Sequence, residues 1–373
     1  MRRAAVLAVF LVGCTSAPAG RTAAPPTGGR SPYDLPPAVP HTIEIRLDAR
    51  AAREILGTLS RARFERSDAL VLEDLPAVRL AIQDSGRSAE VFERDLAAAF
   101  EEQIKVAVFN FRPIRLARDR WLVLLDGIAS RQEDIAGRAA RRAAALLPSD
   151  RALSGRLQVD LSFGLAGLAD HVMLAGSTDR EEMVVDLDRA IGESEGESLD
   201  SQVARLARLI AGEAFRQTWR RYCDSSPNWR RLDPQLGPLE LLLHTTAEHG
   251  PAALFAFDEN FFPLATWLKE PMRRSIEDLN RQAERFAEGQ NDLEKRAELA
   301  AEVQKGDLAR RLAGPAGAFL ADAIVEAKGL DSLRLALAGG PRAFFAAYDR
   351  VSQADKSLPP LSNVIRERIS KKL

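Results

Sequence analysis

Hydrophobic positions along this chain change period several times, and each change marks an element. In 41–47, Ile43, Ile45 and Leu47 alternate with polar neighbours, the two-residue period of a half-buried strand. Residues 49–60 switch to helical spacing, with Ala52, Ile55, Leu56 and Leu59 on one stripe. The spacing stays mostly helical from 75 to 147, with helices predicted over 91–104 and 130–147. Alternation returns at Leu157, Val159, Leu161 and Phe163, and shorter strands are predicted over 171–175 and 183–187. A long helix follows from 199 to 222, its apolar face made by Leu199, Val203, Leu206, Leu209 and Ile210. Further helices are predicted over 238–257, 316–327, 330–337 and 341–351. Residues 271–305 are helical but highly charged, with a thin stripe of Ile276, Leu279, Ala283, Phe286 and Leu293 that spells a solvated helix or hairpin along one edge. No internal repeat has a fixed period. The expected fold is α+β and predominantly helical, with a small sheet packed beside the helix at 199–222.

The N-terminus is different in kind. Met1-Arg2-Arg3 is a positive start, residues 4–12 are an apolar run, and Leu11-Val12-Gly13-Cys14 follows. Nine apolar residues are too few to cross a hydrocarbon core, which needs ~20 in a helix, so a removable signal is expected rather than a span. The four-residue string resembles the lipobox of bacterial lipoproteins. That resemblance implies cleavage after residue 13, lipidation of Cys14 and anchoring in membrane lipid; the alternative is an ordinary secretory signal with an incidental cysteine. Each buried methylene of an acyl chain contributes ~0.8 kcal/mol, so several chains make a stable anchor. Thr15, where some lipoproteins carry Asp, is similar to outer-membrane members, so the expected location is the bacterial cell envelope. Residues 14–40 hold seven prolines among Ala, Gly, Thr and Ser and read as a tether. The globular part is expected over 41–355, divided into 41–150 and 151–355, with 356–373 as a tail.

Charge and cysteine content exclude several function classes. The 52 basic and 53 acidic residues nearly balance, and the Arg pairs 220/221, 230/231, 273/274 and 310/311 are interleaved with carboxylates. Nucleic-acid binding would want a clustered positive excess, so no nucleic-acid partner is expected. With Cys14 lipidated, Cys223 is the one remaining thiol, which rules out an intramolecular disulfide and a Cys-rich zinc site.

The candidate chemistry sits near the middle of the long helix. Glu213 follows Leu209 by four and Ile210 by three, so it continues their stripe, and Arg216 extends it. Charges inside an apolar face are costly unless paired, and Gly212 in mid-helix costs a further ~1 kcal/mol relative to Ala. Three neighbouring breaches of local rules mark a site or its relic. The segment resembles the active-site helix of zincin metallopeptidases, His-Glu-x-x-His, in which two histidines hold zinc and the glutamate activates water. Gly212-Glu213-Ala214-Phe215-Arg216 matches that frame with both histidines gone. Gly-Leu-Ala-Asp at 167–170 and Val184-Val185-Asp186-Leu187 resemble the strands before that helix in a family of zinc-dependent bacterial peptidases of unknown function. Glu248-His249-Gly250-Pro251-Ala252 resembles its Glu-Gly-x-Ala helix. The C-terminal part, with Phe319, Leu320, Ile324, Gly339, Pro341, Phe344 and Phe345, resembles its last helices.

What the resemblance implies is limited by the departures. Glu213 keeps the general-base position and Glu248 the third-ligand position, while Gly212 offers no ligand atom and Arg216 sets a cation where a metal would sit. Zinc needs three protein ligands and an open position, so no metal or other cofactor is expected. Arg216 is expected to pair with Glu213, Glu248 or both, against the alternative of an ordinary surface pair. Of the four histidines, His244 and His249 lie ~140° apart on a helix, while His244 and Glu248 are spaced as a hydrogen-bonded pair. His41 is expected to be solvated, and Trp219, Tyr222 and Trp229 to line either a pocket or the core. The expected function is a membrane-anchored lipoprotein with an inactive peptidase-like domain that binds or scaffolds a peptide or envelope protein. Two alternatives stay open: a hydrolase with a non-standard centre using Glu213 with Glu248 or His249, and a structural envelope protein with no ligand cleft.

Overall fold

The alternating segment near the start forms strand β1 (Thr42–Asp48), which buries Ile45 and packs Ile43 and Leu47 against the core. The computed structural model describes residues 41–101, 107–165, 171–174, 181–191, 197–229, 237–256, 262–289, 292–304 and 312–370; the signal, Cys14 and the tether lie outside them. Helix α1 (Arg50–Leu59) follows β1 directly and buries Ala52, Ile55, Leu56 and Leu59, the stripe that its spacing predicts. A helical excursion comes next: α2 (Arg66–Glu73), α3 (Pro76–Asp84), α4 (Ala89–Ala98), α5 (Phe111–Leu116), α6 (Arg118–Ala129) and α7 (Gln132–Ala145). The helix expected over 91–104 ends at Ala98, where Ala99 and Phe100 close into tight turns.

The excursion returns to strand β2 (Ser154–Ser162), which runs parallel to β1 from Thr42 opposite Ser154 to Asp48 opposite Asp160. Strands β3 (His171–Leu174) and β4 (Glu181–Asp186) complete the sheet in the order β1-β2-β4-β3. β4 is parallel to β2, and β3 is antiparallel to β4 at the edge. The sheet is small and the helices many, so the fold is predominantly helical α+β.

After α8 (Leu187–Ile191), helix α9 (Leu199–Ser225) lies along the sheet. Its start is fixed by Ser198, whose hydroxyl accepts the Ser201 N–H at 3.3 Å and satisfies one of the orphan first-turn donors. Its far end is tied down by Arg221 to Glu181 on β4 (3.2 Å) and by the Tyr222 hydroxyl, which donates to Asp150 (3.0 Å). Helix α10 (Pro238–Ala253) runs on through a tight 3-10 turn, Leu254–Ala256. Then come α11 (Thr266–Glu288), α12 (Leu293–Gln304), α13 (Gly314–Lys328), α14 (Leu330–Ala338), α15 (Gly340–Ala354) and α16 (Asn363–Ser370). Among the described residues no helix is long and apolar enough to cross a membrane.

The charged stretch resolves into the hairpin α11–α12. Its first helix begins at Thr266, before Pro271 rather than at it, and the added turn brings Leu268 onto the buried stripe of Met272, Ile276, Leu279, Ala283 and Phe286. The residues expected as a tail also pack. Leu361 and Ile365 are buried, Asn280 donates to the Pro360 carbonyl (2.9 Å), and Arg366 pairs with Asp349 (2.8 Å).

Helices α10 and α13 cross at a pair of glycines. A Cβ on Gly317 would stand 2.3 Å from the Thr246 carbonyl oxygen, and one on Gly250 2.5 Å from the Gly317 backbone. His41 differs from expectation as well: it is half-buried, and its Nδ1 accepts the Leu153 N–H at 3.2 Å, clasping the start of β1 to the residue before β2. Burial, then the nearby Arg334 charge, push its pKa below the ordinary 6.5, with Asp150 and the Leu147 backbone pulling the other way.

Two outcomes follow. Gly317→Ala should destabilise the protein by about 1–3 kcal/mol through overpacking against backbone. Gly57→Ala in α1, where nothing lies within 4 Å of the added Cβ, should stabilise it, by ~0.5–1 kcal/mol; urea denaturation compares the two. For His41, the unfolded chain takes up a proton near pH 6.5 while the folded imidazole stays neutral, so the unfolded state binds more protons below that pH. Stability should be full above about pH 6.5 and fall as the solution is acidified through it, and His41→Gln should flatten the slope of melting temperature against pH.

Candidate functional site

Helix α9 presents a buried ridge of Val203, Leu206, Ile210, Ala211, Ala214 and Phe215 to the core. Glu213 is part of that buried surface at 6% exposure, as its spacing implies. Arg216 is not: its side chain is 42% exposed, and it reaches back one turn to donate from Nη1 to the Glu213 Oε1. A long side chain can bury its stem and keep its head in water, so Arg216 lies at the rim of the stripe. The arrangement is a carboxylate held out of solvent with a guanidinium on its open side.

Gly212 faces the 3-10 turn after α10. A Cβ at 212 would meet the Phe255 Cβ at 3.1 Å, so glycine here permits the close approach of an aromatic residue that is itself 3% exposed. Phe255 then stacks on Phe215, centroids 5.0 Å apart, and a run of rings continues along the helix. Phe215 meets Trp219 at 6.0 Å, Trp219 meets Tyr222 at 5.4 Å, and Trp229 packs edge-on against Trp219 at 4.7 Å. The polar edges are satisfied by backbone: Trp219 Nε1 donates to the Glu248 carbonyl (3.0 Å) and Trp229 Nε1 to the Leu337 carbonyl (2.5 Å). Trp219, Tyr222 and Trp229 are therefore core rather than pocket wall.

The second candidate carboxylate has its own basic partner. His244 Nδ1 lies 3.4 Å from Glu248 Oε2, one turn along α10, and both side chains are largely buried. A carbonyl only accepts, so His244 Nε2 donates to the Trp229 carbonyl (3.1 Å), and both ring nitrogens are engaged within the fold. His249, on the next residue, is exposed. A shallow notch on the sheet side of α9 is lined by residues that include Ile43, Gly155, Arg156, Ala214, Thr218 and Arg221, and Glu213 is not one of them. No group of three or more His, Cys, Asp or Glu placed to hold a metal occurs among the described residues. Cys223 is buried on the same helix.

Residues 74–357 match the model of a family described as "Putative zinc dependent peptidase (DUF5700)". The chain belongs to this family. No curated protein and no solved structure matches it. The matched span begins after α2 and takes in β2 to β4, α9, α10 and the helices up to α15, so β1 and α1 precede it.

Zinc, which the DUF5700 description implies, does not fit the residues at the motif. Gly212 has no donor atom, and a histidine built there would have to displace Phe255 from a ring stack. Arg216, at the position that the resemblance gives to the other histidine, carries a positive charge and is paired with Glu213. On the residue correspondence that the resemblance implies, two of the three protein ligands a zinc site needs are absent, and no group of three or more His, Cys, Asp or Glu placed to hold a metal stands elsewhere among the described residues. Phe255 is the element of the site that sequence reasoning missed. Ala-Ala-Leu-Phe at 252–255 reads as the end of a helix, and nothing in its spacing shows that the turn folds back onto Gly212.

The ion pair makes a quantitative expectation. Arg216→Met should lower stability by about 1–3 kcal/mol, because it leaves the buried Glu213 carboxylate without its counter-charge. Adding Glu213→Gln should restore part of the loss. Chemical denaturation of the single and double variants measures the coupling; additive effects would mean that the pair is a surface contact without energetic weight.

Proposed function

We propose that this protein is a lipid-anchored component of a bacterial cell envelope whose DUF5700 domain has exchanged zinc hydrolysis for a binding or scaffolding role towards a peptide or envelope protein. The observation that carries the proposal is the pair of substitutions on α9. Gly212 and Arg216 occupy both histidine positions of the peptidase-type motif, and the space beside Gly212 is filled by Phe255. A metal-activated water has no ligand set there, and Glu213, without it, is a carboxylate neutralised by Arg216. What the site still offers is the half-exposed Arg216 guanidinium, a planar five-donor group suited to a carboxylate or a run of backbone carbonyls on a partner. Anchoring rests on the positive, apolar and Leu-Val-Gly-Cys segments that end at Cys14 and on the proline-rich 15–40 behind it.

A second reading, a structural envelope protein with no ligand at this helix, is favoured by the same filled ring stack around Phe255. The two diverge at Arg216: a photo-crosslinker at the exposed Arg220, one turn along α9, should capture a partner under the first and none under the second.

Protein extracted from membranes with detergent provides the main test. Its N-terminal peptide should begin at an acylated Cys14, its zinc content should be far below one per chain, and added zinc should leave peptide hydrolysis at background. Near-stoichiometric zinc would overturn the pseudopeptidase reading and favour a centre built on Glu213 with Glu248 or His249. A mature N-terminus without acyl mass would remove the anchor.

A further inference from the structure

Strand β1 lies at an edge: the sheet runs β1-β2-β4-β3, and among the described residues no strand stands beyond it. The Thr42 N–H donates to the Leu153 carbonyl (2.9 Å), within a parallel register that continues unbroken to Asp48. Backbone direction alternates along a strand, so Thr42, Glu44, Arg46 and Asp48 turn their N–H and C=O groups towards β2. Ile43, Ile45 and Leu47 turn theirs outward, to the side where the sheet ends. Edge strands are ordinarily blunted by shortness, by proline, by a bulge or by charge. β1 has seven residues, Thr-Ile-Glu-Ile-Arg-Leu-Asp, with no proline, glycine or bulge, so charge is the one guard it carries.

That guard is self-complementary. Glu44 and Arg46, whose side chains are 38% and 71% exposed, flank Ile45, the middle residue of the strand. A second β1 laid antiparallel about a two-fold axis at Ile45 sets Glu44 of each copy opposite Arg46 of the other. The outward-turned residues then make the hydrogen-bonded pairs, Ile45 with Ile45 and Ile43 with Leu47. Glu44 and Arg46 fall in the non-hydrogen-bonded pairs, where Cα atoms are ~4.5 Å apart and side chains come closest. At the ends, the Thr42 hydroxyl meets the Asp48 carboxylate. Slipping the pairing by two residues sets Glu44 on Glu44 in one direction and Arg46 on Arg46 in the other, so like charges oppose both neighbouring registers. The segment before β1 is a poor competitor for the edge, because prolines at 32, 36, 37 and 40 supply no N–H to a ladder.

We propose that two copies of this chain pair through β1, antiparallel about a two-fold axis at Ile45, which joins the two four-stranded sheets into one continuous sheet. Such a pairing uses the same edge of both copies and closes at a dimer. It rests neither on the reading of Cys14 nor on that of α9. The chain from residue 14 onward with Cys14→Ser, which can carry no acyl group, is studied by sedimentation equilibrium and should form a concentration-dependent dimer. Glu44→Arg and Arg46→Glu should each weaken that dimer roughly tenfold, because each variant sets like charges opposite one another at both ends of the axis. An equal mixture of the two variants should dimerise as the parent does, since each supplies the charge that the other needs. Circular dichroism of each variant should match the parent. Oxidation of a mixture of Glu44→Cys and Arg46→Cys should link the two variants to each other faster than either to itself, which reads the register directly. A monomer at every concentration, a dimer indifferent to the charge variants, or a mixture that stays monomeric overturns the proposal. So does a chain that dimerises only after residues 15–40 are replaced by a Gly-Ser repeat, which would make that segment the occupant of the edge.

Discussion

A carboxylate buried on an apolar helix face must find a positive charge or give up its own, and that constraint governs the centre of this protein. Glu213 is held almost out of water by Ile210, Ala214 and the rest of the α9 ridge. In a metal site the compensating charge would be a dication shared among several ligands. Here it comes from the same helix, one turn on, through the stem of Arg216. An i,i+3 pair needs no second element to complete it, so the rest of the neighbourhood is free to pack as core. The rings do so: Phe255 occupies the approach to Gly212, Phe215 stacks beneath it, and Trp219, Tyr222 and Trp229 carry the packing towards α10 and α14.

Charge and packing in this region reinforce one another. A Cβ at 212 would meet the Phe255 Cβ at 3.1 Å, so even alanine would require Phe255 to give by a few tenths of an ångström, and glycine lets the ring sit close against the helix on its stack with Phe215. On the neighbouring helix, Glu248 is engaged by His244, whose other nitrogen is committed to the Trp229 carbonyl. Both carboxylates that the peptidase pattern would turn to a common centre thus have partners on their own helices. The close crossing of α10 on α13 at Gly250 and Gly317 fixes the height of α10, and with it the places of Glu248 and of the turn that carries Phe255.

The helical excursion between β1 and β2 has a different character. It buries enough apolar surface to close over the sheet, yet leaves Leu116, Leu122 and Val123 in the open among arginines. Those arginines are tied to the domain itself: Arg112 donates to the Glu101 carbonyl (2.7 Å), Arg115 lies over the Phe100 ring and Arg118 pairs with Asp119 (3.3 Å).

Periodicity alone determined a good part of this protein. The alternation of Ile43, Ile45 and Leu47 and of Leu157, Val159 and Leu161 marked the edge strand β1 and the central strand β2, and the spacing of Val203, Leu206 and Ile210 marked the long helix, because burial on one face imposes a period that a sequence records directly. Gly212, Glu213 and Arg216 stood out for the same reason, as breaches of the local pattern. The parallel pairing of β1 with β2 across more than a hundred residues, the Gly250–Gly317 crossing, the clasp made by His41 and the packed helix after residue 355 were decided only in three dimensions. Each depends on which remote backbone approaches, and no short-range period encodes that. Phe255 shows the limit most clearly: its identity is plain in the sequence, but that it fills the space beside Gly212 follows from the angle at which one turn leaves α10, a property of tertiary packing alone.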